Sequence, residues 1–184
     1  MTWQVDTAHT HISFVARHMM ITKVRGEFTK YDVVVDYNED NPSLSTVEAA
    51  IYTDSINTRD ERRDGHLRSA DFLDSAQFPA MTFKSTRVEQ LANGNGRLIG
   101  DLTIRGVTRE VTLDVEYTGV AQSPWGTTSA GFCGLTKIDR KDWGLTWNQA
   151  LETGGWLVGD QINIEIEVEL VKVPDAVVET AAAS

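Results

Sequence analysis

Apolar and polar residues alternate with a period near two over most of the chain. Successive side chains of a strand point to opposite faces of a sheet, so this period predicts extended strands. The last segment is the clearest case, since Ile162, Ile164 and Ile166 alternate with Glu165 and Glu167. The pattern therefore predicts a long final strand with one face in an apolar interior and the other in water.

The same alternation predicts seven strands before the final one. They cover approximately residues 3–17, 24–37, 47–53, 81–91, 98–104, 107–117 and 127–138. In the second strand, the apolar residues change from even to odd positions after Phe28, which indicates a bulge or bend near Thr29 and Lys30. An irregular segment rich in Trp and Gly, residues 140–159, precedes the last strand.

One stretch, residues 53–83, departs from the alternation. It contains a run of mixed charges, residues 59–64, and then an amphipathic segment with Leu67, Phe72 and Leu73. This pattern predicts a short helical excursion between the third and fourth strands. We expect such an interruption in a β protein to close one end of a barrel or to form a wall of a binding site.

Long strands in sequential antiparallel order favour a closed barrel, because closure removes exposed edges. We therefore predict an all-β fold, an extended eight-stranded antiparallel β-barrel, over residues 1–173. Residues 174–184 are expected to form a flexible C-terminal tail. A two-sheet sandwich is the main alternative. A barrel of eight strands has an interior large enough for one small ligand.

Charge and composition exclude several classes of function. The 184 residues carry a net charge of −10, which argues against nucleic-acid partners and against adsorption onto anionic headgroups. No apolar run reaches the roughly 18 residues of a membrane span. The N-terminus M-T-W-Q-V-D lacks the pattern of a secretory signal. We expect a cytoplasmic protein, or a periplasmic or secreted one if a leader was removed.

Catalytic motifs are missing from the sequence. It contains no G-x-S-x-G elbow, phosphate loop, dinucleotide fingerprint or haem attachment motif. The single cysteine, Cys133, could be a nucleophile, but no motif activates it, and a small core residue is the default interpretation. We therefore predict a protein that is not an enzyme.

Histidines offer one alternative to this interpretation. His9 and His11 are two residues apart, so on a strand both rings could reach one metal ion, with a third ligand from elsewhere. Hydrogen bonds to the backbone or to carboxylates are the other explanation of these side chains. We favour the second explanation and predict no metal site, while a metal-dependent or enzymatic protein using His9 and His11 stays open as a second function.

Two groups of side chains are candidates for the ends of a pore. Arg63 and His66 precede the apolar face of the predicted helix, so they could contact a ligand headgroup, although such charges more often form solvated ion pairs. Trp143, Trp147 and Trp156, in the irregular segment, could line the mouth of a pocket or could equally plug an end of the barrel. We also predict a buried bridge between Arg140 and an aspartate two residues later, Asp142.

Several motifs occur in an order that resembles the YceI-like family, also called polyisoprenoid-binding proteins. They are W-Q-V-D-T-A-H-T-H-I-S-F-V-A-R-H, V-R-G-E-F, S-I-N-T-R-D-E-R-R-D-G-H-L-R-S-A-D-F-L-D with F-P-A-M-T-F, G-D-L-T-I-R-G-V-T-R-E-V, I-D-R-K-D-W-G and V-G-D-Q-I-N-I. They span about residues 3–171. The family usually has His-Ser where this chain has His9-Thr10.

The resemblance implies a lipocalin-like barrel with a long apolar pore, which binds and carries a polyisoprenoid lipid and forms homodimers. The ligand would be a ubiquinone- or menaquinone-type isoprenoid quinone, or a polyprenyl phosphate, with no obligatory cofactor. A stress-linked interaction protein with an incidental cavity remains a further alternative. Each buried carbon unit of an isoprenoid tail stabilises binding by roughly 0.8 kcal/mol before entropy costs.

We combine the inward-facing apolar positions with the candidates for the pore ends to predict the ligand site. The predicted ligand-binding residues are Phe14, His18, Phe28, Ile51, Arg63, His66, Phe72, Met81, Phe83, Leu102, Leu113, Trp143, Trp147, Ile164 and Ile166.

Overall fold

The computed structural model describes residues 2–174, and in it every pair of neighbouring strands is antiparallel. The strands are β1 Thr2–His18, β2 Thr22–Phe28, β3 Tyr31–Asp36, β4 Thr46–Tyr52, β5 Ile56–Asn57, β6 Ala80–Gln90, β7 Gly96–Ile104, β8 Val107–Gln122, β9 Thr128–Asp139 and β10 Val158–Val173. The helix α1 is Glu61–Arg68. Of the predicted C-terminal tail, all residues after Pro174 lie outside the described part.

The strands form a single sheet that curls into a barrel, in the order β3-β4-β6-β7-β8-β9-β10-β1-β2-β5. β2 pairs with β1 and β3 pairs with β4, so the chain that runs from β2 into β3 joins the two ends of the sheet. Tyr31 Oη donates a hydrogen bond to the carbonyl of Thr10 across this junction. The predicted barrel is therefore confirmed.

Ten strand segments correspond to the eight long strands expected from the sequence. The predicted second strand is divided into β2 and β3, and β5 is a two-residue addition at the edge of β2. α1 lies between β4 and β6, which confirms the predicted helical excursion between the third and fourth long strands. Three-residue and four-residue turns of 3-10 helix lie at Pro42–Leu44, Thr53–Ser55, Ala92–Gly94 and Arg140–Trp143.

The bend predicted from the phase change near Thr29 and Lys30 is present between β2 and β3. The amides of Thr29 and Lys30 no longer face a neighbouring strand, and both donate to Ser55, at 3.2 Å to its carbonyl and 3.0 Å to its Oγ. The Lys30 carbonyl accepts from the amide of Tyr52 at 3.1 Å. The turn around Ser55 thus satisfies backbone groups that the bend leaves without a ladder partner.

The two ends of the barrel differ in construction. We call the end covered by α1 and the turn Arg140–Trp143 the helix end, and the opposite one, with the loops 42–44, 91–95 and 123–127, the far end. At the far end a cluster of Trp3, Ala130 and Leu170 is buried, and Tyr37 packs between Trp3 and Phe132. Most of the remaining buried apolar side chains form one large cluster along the interior.

Three of the six residues in the charged run at the start of α1 hydrogen-bond to the chain that enters the helix or to its first turn. Asp60 caps the helix by accepting from the Arg63 amide at 3.0 Å. Asp64 is only 4% exposed, and its Oδ1 accepts from the amide and the hydroxyl of Thr58 at 2.9 and 2.6 Å. Arg63 donates from Nε to Thr58 Oγ1 and from Nη2 to Thr58 O. These side chains therefore have local structural partners.

Asp64→Ala is expected to destabilise the fold, because it leaves the buried amide and hydroxyl of Thr58 without their acceptor, at about 1–3 kcal/mol for a buried unsatisfied group. Glu61→Ala, an exposed change on the same helix, is expected to alter the free energy of unfolding by less than about 0.5 kcal/mol. Urea unfolding of both variants measures the difference. Equal losses in the two variants would show that the Asp64–Thr58 hydrogen bonds do not stabilise this region.

Candidate functional site

The interior of the barrel contains a cavity of about 370 Å³. This size falls within the range of roughly 300–1,000 Å³ that is usual for small-molecule pockets. Every strand and α1 contribute to the lining, which consists almost entirely of apolar side chains. The lining reaches from Val88 and Arg97 near the far end to Leu67 and Val158 at the helix end, so the cavity follows the length of the barrel.

Small inward-facing residues explain why the interior is not filled. Ala16, Ala49 and Gly134 occupy lining positions where other strands carry Ile, Leu or Phe. A Cβ at Gly134 would already lie 3.4 Å from Leu113, so even a small side chain there would reduce the space. An apolar void of this kind does not hold water well, and it favours a hydrophobic occupant.

The helix end is closed by the irregular segment 140–159. Trp143 is 3% exposed, lines the cavity and donates from Nε1 to the carbonyl of Leu102 at 3.0 Å. This bond satisfies the indole N–H inside an apolar wall. Phe72 lies in the same wall and is also buried. The two aromatic side chains form the inner surface of the closed end.

A second aromatic layer lies outside Phe72. The His66 ring is 5.1 Å from the Phe72 ring and 4.6 Å from that of Trp147, both edge to face, and Phe72 and Trp147 are 5.3 Å apart. His66 Nε2 is also 2.8 Å from Asp71 Oδ2. His66 and Trp147 therefore close the helix end from behind Phe72. Of the three tryptophans considered, Trp143 lines the cavity at its closed end, Trp147 lies behind Phe72, and Trp156 is exposed, so no single role covers all three.

Arg140 is a buried cation at this end, 4% exposed. Its guanidinium donates to the carbonyls of Leu145, Trp147, Val158 and Gly159 and to the carboxylate of Asp160, at 2.7–3.5 Å. Burial lowers the pKa of Arg140, and the charge of Asp160 opposes this effect. The predicted bridge to Asp142 is wrong, because the turn Arg140–Trp143 leaves Asp142 exposed while β10 brings Asp160 to the guanidinium.

The structure brings most of the predicted ligand-binding residues together around the cavity. Those in its lining are Phe14, Phe28, Ile51, Phe72, Met81, Phe83, Leu102, Leu113, Trp143, Ile164 and Ile166. Their role as ligand contacts remains a prediction. The sequence prediction omitted other lining residues that the same alternation could have found, among them Ile12, Val33, Leu98, Ile104, Val111, Ile138 and Ile162.

Four predicted residues do not line the cavity, and this is a correction to the predicted site. His18 is the last residue of β1, next to the turn, and lies beyond the lining. Arg63 is bound to Thr58. His66 and Trp147 lie behind Phe72. Sequence spacing alone could not show these contacts, because each depends on a neighbour that is brought close by the fold.

A polar cluster lies on the outside of β1. Asp6, His9 and Glu169 place their potential ligand atoms within 4.8 Å of one another. His9 Nδ1 is 2.9 Å from Asp6 Oδ2, and this hydrogen bond raises the pKa of His9 and lowers the pKa of Asp6. A register shift between Asp6 and His11 separates the two histidines, and His11 lies opposite Glu167. Of the two explanations offered for His9, the structure supports the bond to a carboxylate.

Cys133 lies on the outer face of β9, between the inward-facing Phe132 and Gly134, so its predicted place in the core is wrong. Burial raises the pKa of its thiol, and the nearby Glu165, Glu167 and Glu116 raise it further. A thiol with a raised pKa is a weak nucleophile at neutral pH. The surroundings of Cys133 therefore do not activate it.

Comparison with known families gives one match that spans nearly all of the described chain. The model of the YceI-like domain matches residues 3–170. UPF0312 proteins of Staphylococcus aureus strains N315 and Mu50 are 38% identical over 165 residues, which is 89% of this chain and 94% of theirs. Within residues 2–174, α1 and the 3-10 turns are too short to cross a bilayer.

Solved structures show the same fold. The YceI protein of Campylobacter jejuni is 33% identical, with a TM-score of 0.74 over 86% of this chain and 90% of that protein. BcnA of Burkholderia cenocepacia has a TM-score of 0.77 at 23% identity, covering 90% of this chain and 99% of BcnA. A polyisoprenoid-binding domain from Saccharophagus degradans has a TM-score of 0.62 at 13% identity, covering 95% and 99%. The last two show the fold alone.

Asp6→Asn is expected to lower the pKa of His9 towards its ordinary value, because it removes the hydrogen bond and the charge that raise it. Glu169→Gln is expected to lower it less, since Glu169 acts only through its charge. Histidine NMR titration of the wild type and both variants measures the shifts. A larger fall in Glu169→Gln would contradict the geometry of the pair.

The hydrogen-bonded pair of Asp6 and His9 also determines the direction in which stability changes with pH. Because the pKa of His9 is raised in the folded state, its contribution is complete below the unfolded pKa and is lost as the pH rises through the folded value. Asp6→Asn is expected to reduce this loss of stability as the pH rises past the ordinary histidine pKa of 6.5, which urea unfolding at a series of pH values measures.

Proposed function

The chain belongs to the family of YceI-like domains, and on that premise we propose that it binds and carries an amphiphile with a polyisoprenoid tail, without catalysing a reaction. The apolar cavity is the observation that carries this proposal. The Saccharophagus degradans domain with the same fold is described as polyisoprenoid-binding, which supports the same class of ligand here.

The shape and chemistry of the cavity suit a hydrocarbon tail. Its lining is aliphatic and aromatic along the barrel, with few polar side chains to hydrogen-bond a sugar, a nucleotide or a peptide. A branched isoprenoid chain would gain free energy from each carbon unit that leaves water, about 0.8 kcal/mol per CH₂. A preformed cavity reduces the ordering cost of binding.

The charged groups of the lining favour a neutral headgroup. Arg97 and Arg140 are the charged residues in it. The N–H groups of Arg140 already donate to protein oxygens, so this residue has no donors left for a phosphate. Arg97 is half exposed and lies 3.4 Å from Asp114. A phosphate drawn into the barrel would therefore be a poorly compensated buried charge.

We accordingly propose an isoprenoid quinone, of the ubiquinone or menaquinone type, in preference to a polyprenyl phosphate.

Homodimer formation and a cytoplasmic location remain predictions. Sedimentation velocity of the purified protein tests the first, and fractionation of native cells tests the second.

Ala49→Phe is expected to weaken binding of octaprenyl ubiquinone by about tenfold or more, because its ring would occupy the cavity, and tenfold corresponds to about 1.4 kcal/mol. Ala50→Phe is the matched control: Ala50 is the next residue of β4 and does not line the cavity. Its affinity is expected to stay within about twofold of the wild type, by the same arithmetic. Quenching of tryptophan fluorescence measures binding, and the melting temperature of each variant checks its folding.

Three results would contradict the proposal. Equal affinities of the two variants would place the ligand outside the barrel. Tighter binding of octaprenyl phosphate than of octaprenyl ubiquinone would reject the neutral headgroup. A failure of both probes to bind, together with no hydrophobic molecule in lipid extracts of the protein purified from its native host, would reject polyisoprenoid binding itself.

A further inference from the structure

The turn between β1 and β2 has an unusual composition for its geometry. Met19 and Met20 are its two central residues, with φ of 52° and 61°, and the Ile21 amide donates to the His18 carbonyl at 3.1 Å. β-turns with both central φ values positive are favoured by Asn-Gly, because other side chains fit this conformation poorly. The conformation of the turn therefore does not explain why methionine occupies both positions.

The side chains of this turn are exposed and apolar. The exposed fractions are 41% for Met19, 63% for Met20 and 77% for Ile21. Trp156, in the neighbouring loop 149–157, is 56% exposed. We call these four residues the apolar tip. Contiguous apolar side chains that the fold leaves in water indicate an interaction surface.

The fold holds the two parts of the apolar tip together. The Met19 amide donates to the carbonyl of Leu157 at 2.8 Å. The sulfur of Met20 packs against Gly155, where φ is +90° and a Cβ would collide with that sulfur. The tip is thus a structured surface of two adjoining loops.

The apolar tip continues the wall of the cavity. Ala16 on β1 and Val158 on β10 line the cavity, and each lies two or three residues from the tip along its own strand. His18, the last residue of β1, pairs with Val158. The apolar tip therefore lies next to the helix-end part of the cavity lining.

Basic side chains stand behind the apolar tip. Arg17 and Lys23 are opposite each other on β1 and β2, one pair back from the end of the hairpin, and both are exposed. The acidic residue of the loop 149–157 is Glu152. Apolar and indole side chains at the front with cations behind them match the layers of a bilayer interface, where the cations meet lipid phosphates. The net charge of −10 argues against adsorption by the protein surface as a whole, and the Arg17–Lys23 pair is a local exception to it.

We propose that the apolar tip inserts into the surface of a lipid bilayer and brings the helix end of the cavity against the membrane. This inference rests on the proposed function, because an isoprenoid lipid dissolves in the bilayer and must enter the cavity from there. A second copy of the chain is a poorer partner, because a symmetric contact through the tip would bring the Arg17–Lys23 pairs of both copies together.

Flotation with vesicles that contain phosphatidylcholine and phosphatidylglycerol tests the proposal. Met19→Asn/Met20→Gly removes the two methionines and supplies the residues that the turn favours, so its melting temperature is expected to equal or exceed that of the wild type. The fraction of protein bound to vesicles is expected to fall about tenfold, through the lost apolar surface.

Two further variants sharpen the test. Leu44→Ser/Trp125→Ser removes exposed apolar side chains at the far end, 63% and 89% exposed, and is expected to keep wild-type flotation. Arg17→Gln/Lys23→Gln is expected to weaken binding to the mixed vesicles more than to vesicles of phosphatidylcholine alone. Normal flotation of the tip variant, or loss of flotation only in the far-end variant, would overturn the proposal.

Ligand binding in solution separates this inference from the proposed function. The tip variant is expected to bind octaprenyl ubiquinone as the wild type does, because neither methionine lines the cavity. If the wild type floats through the tip but binds no ubiquinone, the proposed function fails and the docking surface stands. If the tip variant floats normally and sediments as a smaller species than the wild type, the tip is a contact between copies and membrane docking is rejected.

Discussion

The bend between β2 and β3 is the constraint on which the barrel depends. One continuous stretch of chain pairs with β1 before the bend and with β4 after it, so the bend joins the two ends of the sheet. The backbone groups lost from the ladder at Thr29 and Lys30 are recovered by the turn around Ser55. That turn leads through β5 into α1, and closure of the sheet is therefore coupled to the position of the helix end.

Many of the charged residues that suggest chemistry serve the structure. Asp64 and Arg63 bind Thr58 and hold the start of α1. Arg140 donates hydrogen bonds to backbone carbonyls of the irregular segment 140–159 and so holds that segment together. Because these groups are paired within the protein, the interior is left with an apolar surface and few free donors. The shape and hydrophobicity of the cavity therefore indicate a binding function. The few polar groups in the lining of the cavity affect which headgroup can bind.

The ends of the barrel have different relations to that cavity. The helix end carries two layers of aromatic side chains, with Phe72 and Trp143 inside and His66 and Trp147 behind them. Beside this plug, the β1–β2 turn presents apolar side chains to water. Access of a lipid at this end would require the plug and the neighbouring loops to move, and the irregular backbone of 140–159 is better suited to such a motion than the strands are.

The sequence by itself determined the elements of this protein, because strand periodicity is local and each inward position can be counted along the chain. It also located the bend to within a few positions, because the apolar residues change there from even to odd positions. Only the tertiary structure decided that Asp160, and not Asp142, binds Arg140, that His66 lies behind Phe72, and that small residues leave a cavity. Those outcomes depend on register between strands far apart in sequence and on the volumes of side chains that meet across the barrel, and neither can be counted along a single chain.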